Sequence, residues 1–203
     1  MSVFFNALIF DLDGTLLDTE PLHRHAWREV FKRYNTDITD EELIRFNGSS
    51  PEKVAHQLIK MKKTEADPIM LAARKKRLVE SYFKTAAISP LPAAALLKQC
   101  HARYAMGLGT GSSASTAEIL LRRFDLIKYF DVIVSADDVL KHKPEPDTFL
   151  KCAQRLKVNP VNCLVFEDSH FGMLAGKNAG MSVVDVNGKT VDDFYHCLAP
   201  PDP

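Results

Sequence analysis

Two aspartates near the start of the chain have the spacing of a reactive pair. Asp11 and Asp13 follow a short apolar run, Ala7–Phe10, and precede Gly14. Side chains alternate along a strand, so residues two apart leave it on the same side, and a glycine lets the backbone turn around them. Burying two carboxylates together is costly because each opposes ionisation of the other. The pattern therefore predicts a bound cation, and oxygen-only ligands favour a hard ion such as Mg²⁺.

The same stretch has a second interpretation as a structural turn. Asp18 and Thr19 stand just before Pro21, in an order that commonly begins a helix, so a helix cap would also explain the acidic residues. The apolar run in front of Asp11, however, has the composition of a buried parallel strand that ends at the carboxylates. This strand context favours a reactive site.

A second candidate segment, residues 109–113, has the sequence Gly-Thr-Gly-Ser-Ser. Small residues beside a hydroxyl let backbone N–H groups approach a phosphate at the beginning of a helix. The alternative is an ordinary tight turn in which Ser113 caps that helix. The segment alone does not decide between the two.

Charged residues occur at two further places where a predicted strand or the loop after it ends. Lys143 is followed by Pro144 and Pro146, which stiffen the backbone around an ammonium group able to balance a phosphoryl group; a solvated surface lysine is the alternative. Glu167 and Asp168 follow an apolar run, where they either cap the next helix or supply oxygen ligands to a cation. Because the carboxyl ends of parallel strands meet at one edge of a sheet, these segments predict one site.

A sheet must bring these segments together. Beyond residue 90, short apolar runs at 104–108, 132–135, 163–166 and 182–186 alternate with helical patterns at 92–101, 113–124, 145–156 and 171–179. With the opening strand, five strands joined by helical crossovers predict a doubly wound, parallel five-stranded α/β sheet covered on both faces.

The segment between the first strand and residue 90 has no convincing strand, and its apolar residues recur at helical spacing. Helix-start signals occur at Pro21, at Thr39 with Glu42, at Ser50-Pro51 and at Asp67-Pro68. We therefore expect a catalytic core of residues 1–18 and 90–203, with a four-helix cap domain, residues 19–89, inserted into it. The tail, 199–203, is expected to be frayed.

Composition limits the classes of function. Among 203 residues, 26 basic residues balance 26 acidic ones, so no net field favours nucleic acid or an anionic membrane. The four cysteines lie far apart without a C-x-x-C pair, which argues against a zinc knuckle and favours reduced thiols. Neither a basic leader nor an apolar run of membrane length is present. We expect a soluble, cytoplasmic protein that binds a small molecule, with an oligomeric state that the sequence leaves open and that is compatible with a monomer.

Four motifs in order, DLDGTLLDT, GLGTGSS, KPEPD and FEDS, resemble those of the haloacid dehalogenase (HAD) superfamily of phosphotransferases. The helical insertion after the first motif resembles the cap of the β-phosphoglucomutase-like branch, so the resemblance covers nearly the whole chain. Within that branch, HRHAWREV, SPLP and HKPEPDTFLKCAQR are most similar to bacterial fructose-1-phosphate phosphatases. The resemblance implies a HAD-like Rossmannoid fold, a sugar phosphate as partner, and a cap that moves about hinges at residues 19–20 and 90–92.

The resemblance also implies roles for the acidic residues. Asp11 is expected to be the nucleophile that forms an aspartyl-phosphate, and Asp13 to protonate the leaving sugar oxygen and then activate water. Mg²⁺ is expected on Asp11, the main-chain carbonyl of Asp13 and Asp168. Glu167 is then either a further ligand or a holder of metal-bound water.

Phosphate contacts are implied in the same way. Thr110 and the Gly111 N–H are expected to bind phosphoryl oxygens, while Lys143 balances their charge. Ser112 and Gly14 are expected to contact the substrate as well.

Residues of the cap are expected to select the substrate. His23 and Trp27 are four apart, hence on one helix face, and match positions that approach the active site in this branch; helix surface and plain packing are the alternatives. Lys75 matches a substrate-contacting lysine, or else belongs to a solvated basic run, 74–77. Gly48 lies in a polar loop that is expected to contact ligand, unless it is an ordinary turn.

Two departures from the family favour hydrolysis. A mutase of this branch holds a second phosphate with an arginine just after its cap-loop Gly-x-Ser, and here Pro51 follows that loop. The mutase also has a basic and an amide residue where this chain has Ser113 and Ala114. We therefore expect a Mg²⁺-dependent phosphatase of small sugar monophosphates such as fructose-1-phosphate. A β-phosphoglucomutase-type mutase and, from another class, a non-catalytic sugar-phosphate-binding protein are the alternatives.

Overall fold

A computed structural model describes residues 4–198 of the chain, and the tail for which fraying is expected lies outside that range. The five strands are β1 (Ala7–Phe10), β2 (Ala105–Gly109), β3 (Val132–Val134), β4 (Cys163–Glu167) and β5 (Ser182–Asp185). They form one sheet in the order β3-β2-β1-β4-β5, and every pairing is parallel. The predicted doubly wound sheet is thereby confirmed.

Helices surround this sheet. The α-helices of the described residues are α1 (Glu20–Phe31), α2 (Asp40–Ile44), α3 (Pro51–Lys62), α4 (Pro68–Thr85), α5 (Ala94–Cys100), α6 (Ala114–Arg123), α7 (Asp147–Leu156), α8 (His170–Asn178) and α9 (Val191–Leu198). Single 3₁₀ turns span Lys32–Tyr34, Ile127–Tyr129, Ala136–Asp138 and Pro160–Asn162. All predicted helices and strands are present with small shifts at their ends. Helix α9, which follows β5, was not predicted from the sequence.

The central strand β1 fixes the position of the first aspartate. It pairs with β2 on one side and β4 on the other, and its four side chains are fully buried. Leu8 and Phe10 join the hydrophobic cluster on one face of the sheet, whereas Ala7 and Ile9 join the cluster on the other. This alternation is what a strand with both faces covered requires. Asp11 therefore leaves the sheet from its most constrained position.

Four helices, α1–α4, follow β1 in the sequence and precede α5 and β2, and we call them the cap helices. The predicted start signals are present: Thr39 and Glu42 form a reciprocal capping box, and the Asp67 carboxylate accepts from the Ile69 N–H at 2.8 Å. The cap helices share a hydrophobic cluster of their own that includes Phe31 and Leu58. The exact domain limits at residues 18 and 90 stay a prediction.

The two connections between the cap helices and the sheet run side by side. The Asp18 N–H donates to the Ser89 carbonyl at 3.0 Å, and the Leu91 N–H donates to the Leu16 carbonyl at 2.9 Å. Both connections therefore leave the core at one place, next to Asp11 and Asp13. Within residues 4–198, no helix combines the length and the apolar character needed to cross a membrane.

Candidate active site

A buried lysine joins two of the predicted acidic residues at the carboxyl end of the sheet. Lys143 Nζ donates to Asp11 Oδ1 and to Glu167 Oε1, each at 2.6 Å, and Lys143 is only 1% exposed. Burial lowers the pKa of Lys143, but the two carboxylates outweigh burial and raise it, so the ammonium stays charged. Burial also raises the pKa of Asp11 well above its usual value, because Lys143 only partly offsets burial and the nearby carboxylates.

Asp13 has a different environment, although it lies only two residues away. Its Oδ1 accepts from the Thr19 hydroxyl at 2.7 Å and from His23 Nε2 at 3.0 Å, and its Oδ2 accepts from the Ser112 hydroxyl at 2.7 Å. Burial alone would raise the pKa of Asp13, but His23 and the hydroxyl donors lower it far below its usual range. In this arrangement Asp13 is a carboxylate, and its environment pushes its pKa away from that of Asp11.

A lysine from the cap helices extends the hydrogen bonding of Asp13. Lys75 Nζ lies 2.6 Å from His23 Nδ1 and 5.5 Å from the centre of the Trp27 ring. An ammonium group can only donate, so Nδ1 accepts and Nε2 carries the proton that His23 donates to Asp13. Burial and the neighbouring Lys75 lower the pKa of His23, which agrees with a neutral ring. Burial also lowers the pKa of Lys75 to about 8. A continuous chain of contacts thus links α4 to the core carboxylate.

A third carboxylate approaches the turn after β1. Asp168 accepts from the Thr15 hydroxyl at 2.8 Å. Gly14 has a φ of +80°, and a Cβ built there would lie 2.4 Å from Asp168 Oδ2, so a side chain at this position would displace the carboxylate. Burial and Glu167 raise the pKa of Asp168 to about 8. The turn after β1 and the end of β4 therefore bring Asp11, Glu167 and Asp168 close together, and a bound cation would reduce the repulsion between their charges.

The donor set fits a hard cation held by few side chains. Both oxygens of Glu167 are already engaged, because Oε1 accepts from Lys143 and Oε2 accepts from the Ser169 N–H and hydroxyl at 2.7 and 2.9 Å. No group of three or more His, Cys, Asp or Glu side chains within residues 4–198 has the arrangement of a metal site. Both observations are compatible with a cation held by only two carboxylates, Asp11 and Asp168, and a main-chain carbonyl. The role of Glu167 at a metal stays a prediction.

The segment 109–113 contains the predicted helix cap, and its phosphate-binding role stays a prediction. Ser113 caps α6 by accepting from the Thr116 N–H at 3.4 Å. Thr110 is fully buried and accepts from the Ser112 N–H at 3.0 Å, which leaves its hydroxyl proton available for another acceptor. Gly111 and Ser112 line the cleft beside Asp11 and Asp13.

A cleft lies between the sheet edge and the cap helices. Its walls are Asp11, Asp13, Glu20, His23, Arg24, Trp27, Leu43, Phe46, Asn47, Gly48, Ser49, Pro51, Val54, Lys75, Gly111, Ser112 and Ser169. Gly48 brings the cap loop onto the core: its φ is +81°, and a Cβ there would lie 2.4 Å from Ser169 Oγ. The cap helices and the core thus enclose the cleft from opposite sides.

A family model described as haloacid dehalogenase-like hydrolase matches residues 8–186. The chain belongs to this family of hydrolases. It is 46% identical to fructose-1-phosphate phosphatase YqaB of Escherichia coli K12, over 90% of this chain and 96% of that protein. A phosphorylated carbohydrates phosphatase of Thermotoga maritima is 36% identical over 86% of this chain and 82% of its own length. Among solved structures, a β-phosphoglucomutase from Clostridium difficile superposes with a TM-score of 0.81 at 27% identity, covering 95% of this chain and 96% of that one.

The predicted residues of this haloacid dehalogenase-like hydrolase lie in one region. Those that line the cleft are Asp11, Asp13, His23, Trp27, Gly48, Lys75, Gly111 and Ser112. Those that lie beside or beneath its core side, in contact with lining residues or with one another, are Gly14, Thr110, Lys143, Glu167 and Asp168. Their individual roles stay predictions.

Sequence reasoning missed several residues of the hydrolase's cleft. Thr19 was considered only as a helix cap and a hinge, yet its side chain caps no helix and donates to Asp13 instead. Glu20 and Arg24 also line the cleft. A signal for them exists, because Glu20, His23, Arg24 and Trp27 follow the i, i+3, i+4, i+7 spacing of one helix face. Ser49 lies in the polar cap loop that is expected to contact ligand and Ser169 ends the FEDS motif, but neither was named as a site residue.

Proposed function

We propose that the protein is a Mg²⁺-dependent phosphatase that hydrolyses small sugar monophosphates, fructose-1-phosphate among them, through an aspartyl-phosphate. The observation that carries the proposal is the contrast between two carboxylates at one cleft: Asp11, clamped by Lys143, and Asp13, held by Thr19, His23 and Ser112. The family and the relationship to fructose-1-phosphate phosphatase YqaB support the same reaction class.

In the proposed reaction, an oxygen of Asp11 attacks phosphorus and the bond from phosphorus to the sugar oxygen breaks. Asp13, in its protonated form, gives its proton to that leaving oxygen. Water then attacks the aspartyl-phosphate, Asp13 takes a proton from this water, and free phosphate and the Asp11 carboxylate are regenerated. Asp13 requires a raised pKa for the first step, and the negative charge of a bound phosphate would raise it.

Other residues position these two groups. Lys143 fixes one oxygen of Asp11 and neutralises charge beside it, so that the other oxygen can face phosphorus. The hydroxyl of Thr110 and the backbone of Gly111 and Ser112 are suited to bind phosphoryl oxygens. Asp11, the main-chain carbonyl of Asp13 and Asp168 would hold Mg²⁺, which when bound supplies positive charge against the phosphoryl oxygens.

The cap residues suit a role in bringing Asp13 into position. His23 contacts Asp13 directly, and Lys75 acts on Asp13 through His23, with the cap helices lying against the core. Water exclusion and the orientation of Asp13 would then depend on cap closure. The free cysteines among the described residues support the expectation of reducing, cytoplasmic surroundings.

Phosphate release from a panel of sugar monophosphates tests this function, with Mg²⁺ and then with EDTA. We expect Mg²⁺-dependent release by the wild-type protein and a loss of about a thousandfold or more in Asp11→Asn, which lacks the nucleophile. Thermal unfolding of the variant serves as the folding control. The phosphatase proposal fails if the folded wild-type protein releases no phosphate from any of these sugars, or if Asp11→Asn stays active. Formation of glucose-6-phosphate from glucose-1-phosphate, primed with the bisphosphate, would favour the mutase instead.

A further inference from the structure

Helix α4 contacts the imidazole of His23 through two of its side chains. Lys75 Nζ lies 2.6 Å from His23 Nδ1, and the ring of Phe83 packs edge-on against the His23 ring with 5.3 Å between the ring centres. His23 in turn donates to Asp13 at 3.0 Å. The direction in which His23 presents its Nε2 proton therefore depends on where α4 lies.

A second donor to Asp13 comes from the other side of the cleft. The Ser112 hydroxyl donates to Asp13 Oδ2 at 2.7 Å, and Ser112 directly precedes Ser113, the residue that caps α6. One carboxylate is thus held by a donor whose position depends on α4 and by a donor at the start of α6. Both hydrogen bonds can form together only when α4 and the first turn of α6 keep a fixed separation.

Glu80 of α4 joins these two helices directly. Its Oε1 accepts from the Ser115 hydroxyl at 2.8 Å and from the Thr116 hydroxyl at 3.2 Å, and both donors belong to the first turn of α6. A carboxylate is favourable there because the N-terminal end of a helix carries partial positive charge. The cleft walls formed by residues 4–198 include none of these three residues. This contact therefore acts on the site only through the helices that it joins.

A second contact between the same helices lies at the end of α4. Arg123, the last residue of α6, donates through Nη1 to the Phe83 carbonyl at 2.6 Å and through Nη2 to the Ala86 carbonyl at 2.7 Å. Carbonyls at the end of a helix lack partners within it, and a cation is favourable beside them. Because the ring of Phe83 contacts His23, Arg123 fixes α4 at a residue that packs on the imidazole.

We propose that Glu80 and Arg123 are positioning residues that fix α4 on α6 for the proposed reaction. The fixed helix keeps His23 hydrogen-bonded to Asp13, although neither positioning residue contacts the groups that react. The proposal rests on the phosphatase function, in which Asp13 must face the leaving oxygen. Loss of either contact lets α4 shift, so that Asp13 loses a donor and with it part of its orientation.

Two substitutions of Glu80 separate positioning from folding. Glu80→Ala removes the acceptor for both hydroxyls, whereas Glu80→Gln keeps an amide oxygen that can accept from them. With fructose-1-phosphate and Mg²⁺, we expect kcat to fall about tenfold in Glu80→Ala, KM to change less than about threefold, and Glu80→Gln to retain most of the wild-type kcat. A purely structural role would lower the unfolding temperature without this selective loss of kcat.

The fluorescence of Trp27 reports the position of α4 without any turnover, because the chain has one tryptophan. Trp27 is only 5% exposed, and Lys75 Nζ of α4 lies 5.5 Å from the centre of its ring. Displacement of α4 should uncover this ring. We therefore expect acrylamide to quench the fluorescence more strongly in Glu80→Ala than in the wild-type protein, and Glu80→Gln to resemble the wild type.

Helix α6 supplies matched controls. Glu118→Ala removes a carboxylate of α6 that pairs with Arg122 of the same helix, and Arg122→Met removes the arginine next to Arg123. Both controls should keep the wild-type kcat and quenching. Arg123→Met should instead reproduce the changes of Glu80→Ala.

The positioning proposal is overturned if folded Glu80→Ala keeps the wild-type kcat, if its kcat falls without stronger quenching, or if Glu80→Gln or Glu118→Ala declines equally. If Glu80→Ala does not fold, the comparison of Arg123→Met with Arg122→Met decides in the same way. Failure of the wild-type protein to release phosphate from any sugar would instead remove the phosphatase function. Quenching would then still show whether Glu80 fixes α4, so the two failures are distinguishable.

Discussion

Lys143 is the residue that allows two carboxylates to share the buried end of the sheet. Its ammonium lies within 2.6 Å of both Asp11 and Glu167, and its charge also faces the ring of Phe149 at 4.8 Å from the ring centre. Neither carboxylate has another cation in contact among the described residues. Lys143 thus stabilises the fold in addition to its proposed catalytic role, and unfolding measurements test the contribution to stability separately.

Replacing the Lys143 ammonium should destabilise the fold. In Lys143→Met, Asp11 and Glu167 are left buried without a counter-charge, so we expect the free energy of unfolding in urea near neutral pH to fall by about 3–5 kcal/mol. Part of the loss should return as the pH falls, because protonation removes the repulsion. The exposed Lys141→Met is the control, with an expected change within about 0.5 kcal/mol. Equal stability of the two variants would contradict this account.

At the scale of elements, the helix starts that depend on local signals were predicted correctly, whereas contacts between distant parts of the chain were not predicted. The starts of α2, α3 and α4 depend on caps that lie within three residues of the groups they bind, so the sequence contains everything needed to place them. Helix α9 was missed although Val191, Phe194, Tyr195 and Leu198 have the i, i+3, i+4, i+7 spacing of an amphipathic helix. Only its packing, in which Phe194 contacts Phe166 of β4, depends on distant parts of the chain.

The loop that joins α2 to α3 illustrates the same limit and permits a test. Gly48 combines a left-handed backbone with a close approach to Ser169, whereas Gly188 has a φ of +68° and nothing within 4 Å of an added Cβ. Gly48→Ala and Gly188→Ala should therefore share a backbone cost of about 1 kcal/mol. Only Gly48→Ala should also push the cap loop from the core and lower kcat/KM for a sugar phosphate, by about tenfold.

Steady-state kinetics and urea unfolding of both glycine variants distinguish the two effects. A parallel loss of stability with a selective loss of activity in Gly48→Ala supports a catalytic need for cap closure. If Gly188→Ala loses as much activity, the decline reflects general destabilisation and the close contact with Ser169 has no separate importance.

At the scale of the whole molecule, an even charge balance conceals a strong local imbalance. The chain has equal numbers of acidic and basic residues, yet Asp11, Asp13, Glu167 and Asp168 gather at one edge of the sheet around Lys143. The sequence predicted this gathering because parallel strands end on the same side. It did not predict the approach of Gly48 to Ser169, since this contact depends on how the cap helices lie against the core. The carboxylates at the edge of the sheet are thus predictable from the strand order, whereas the contacts between the cap helices and the core are not.

The excess of carboxylates should make stability depend on pH when no metal is present. Asp168 has a pKa of about 8 in the folded protein, against an ordinary value of 3.8, so between pH 6.5 and 7.5 the folded chain holds a proton that the unfolded chain has lost. Raising the pH across this window should therefore lower the free energy of unfolding by roughly 1 kcal/mol for that proton. The raised pKa values of Asp11 and Glu20 act in the same direction, while the lowered pKa values of His23 and Lys75 oppose it.

Urea unfolding at pH 6.5 and 7.5, in EDTA and in Mg²⁺, measures this dependence. In EDTA the wild-type protein should be less stable at the higher pH, and Asp168→Asn, which cannot take up that proton, should have a smaller slope, with Asp11 and Glu20 contributing the remainder. Because a metal ligand must be deprotonated, the stabilisation that Mg²⁺ adds to the wild-type protein should grow with pH. An equal effect of Mg²⁺ at both pH values, or in Asp168→Asn and wild type alike, would show that the cation is not held by this carboxylate.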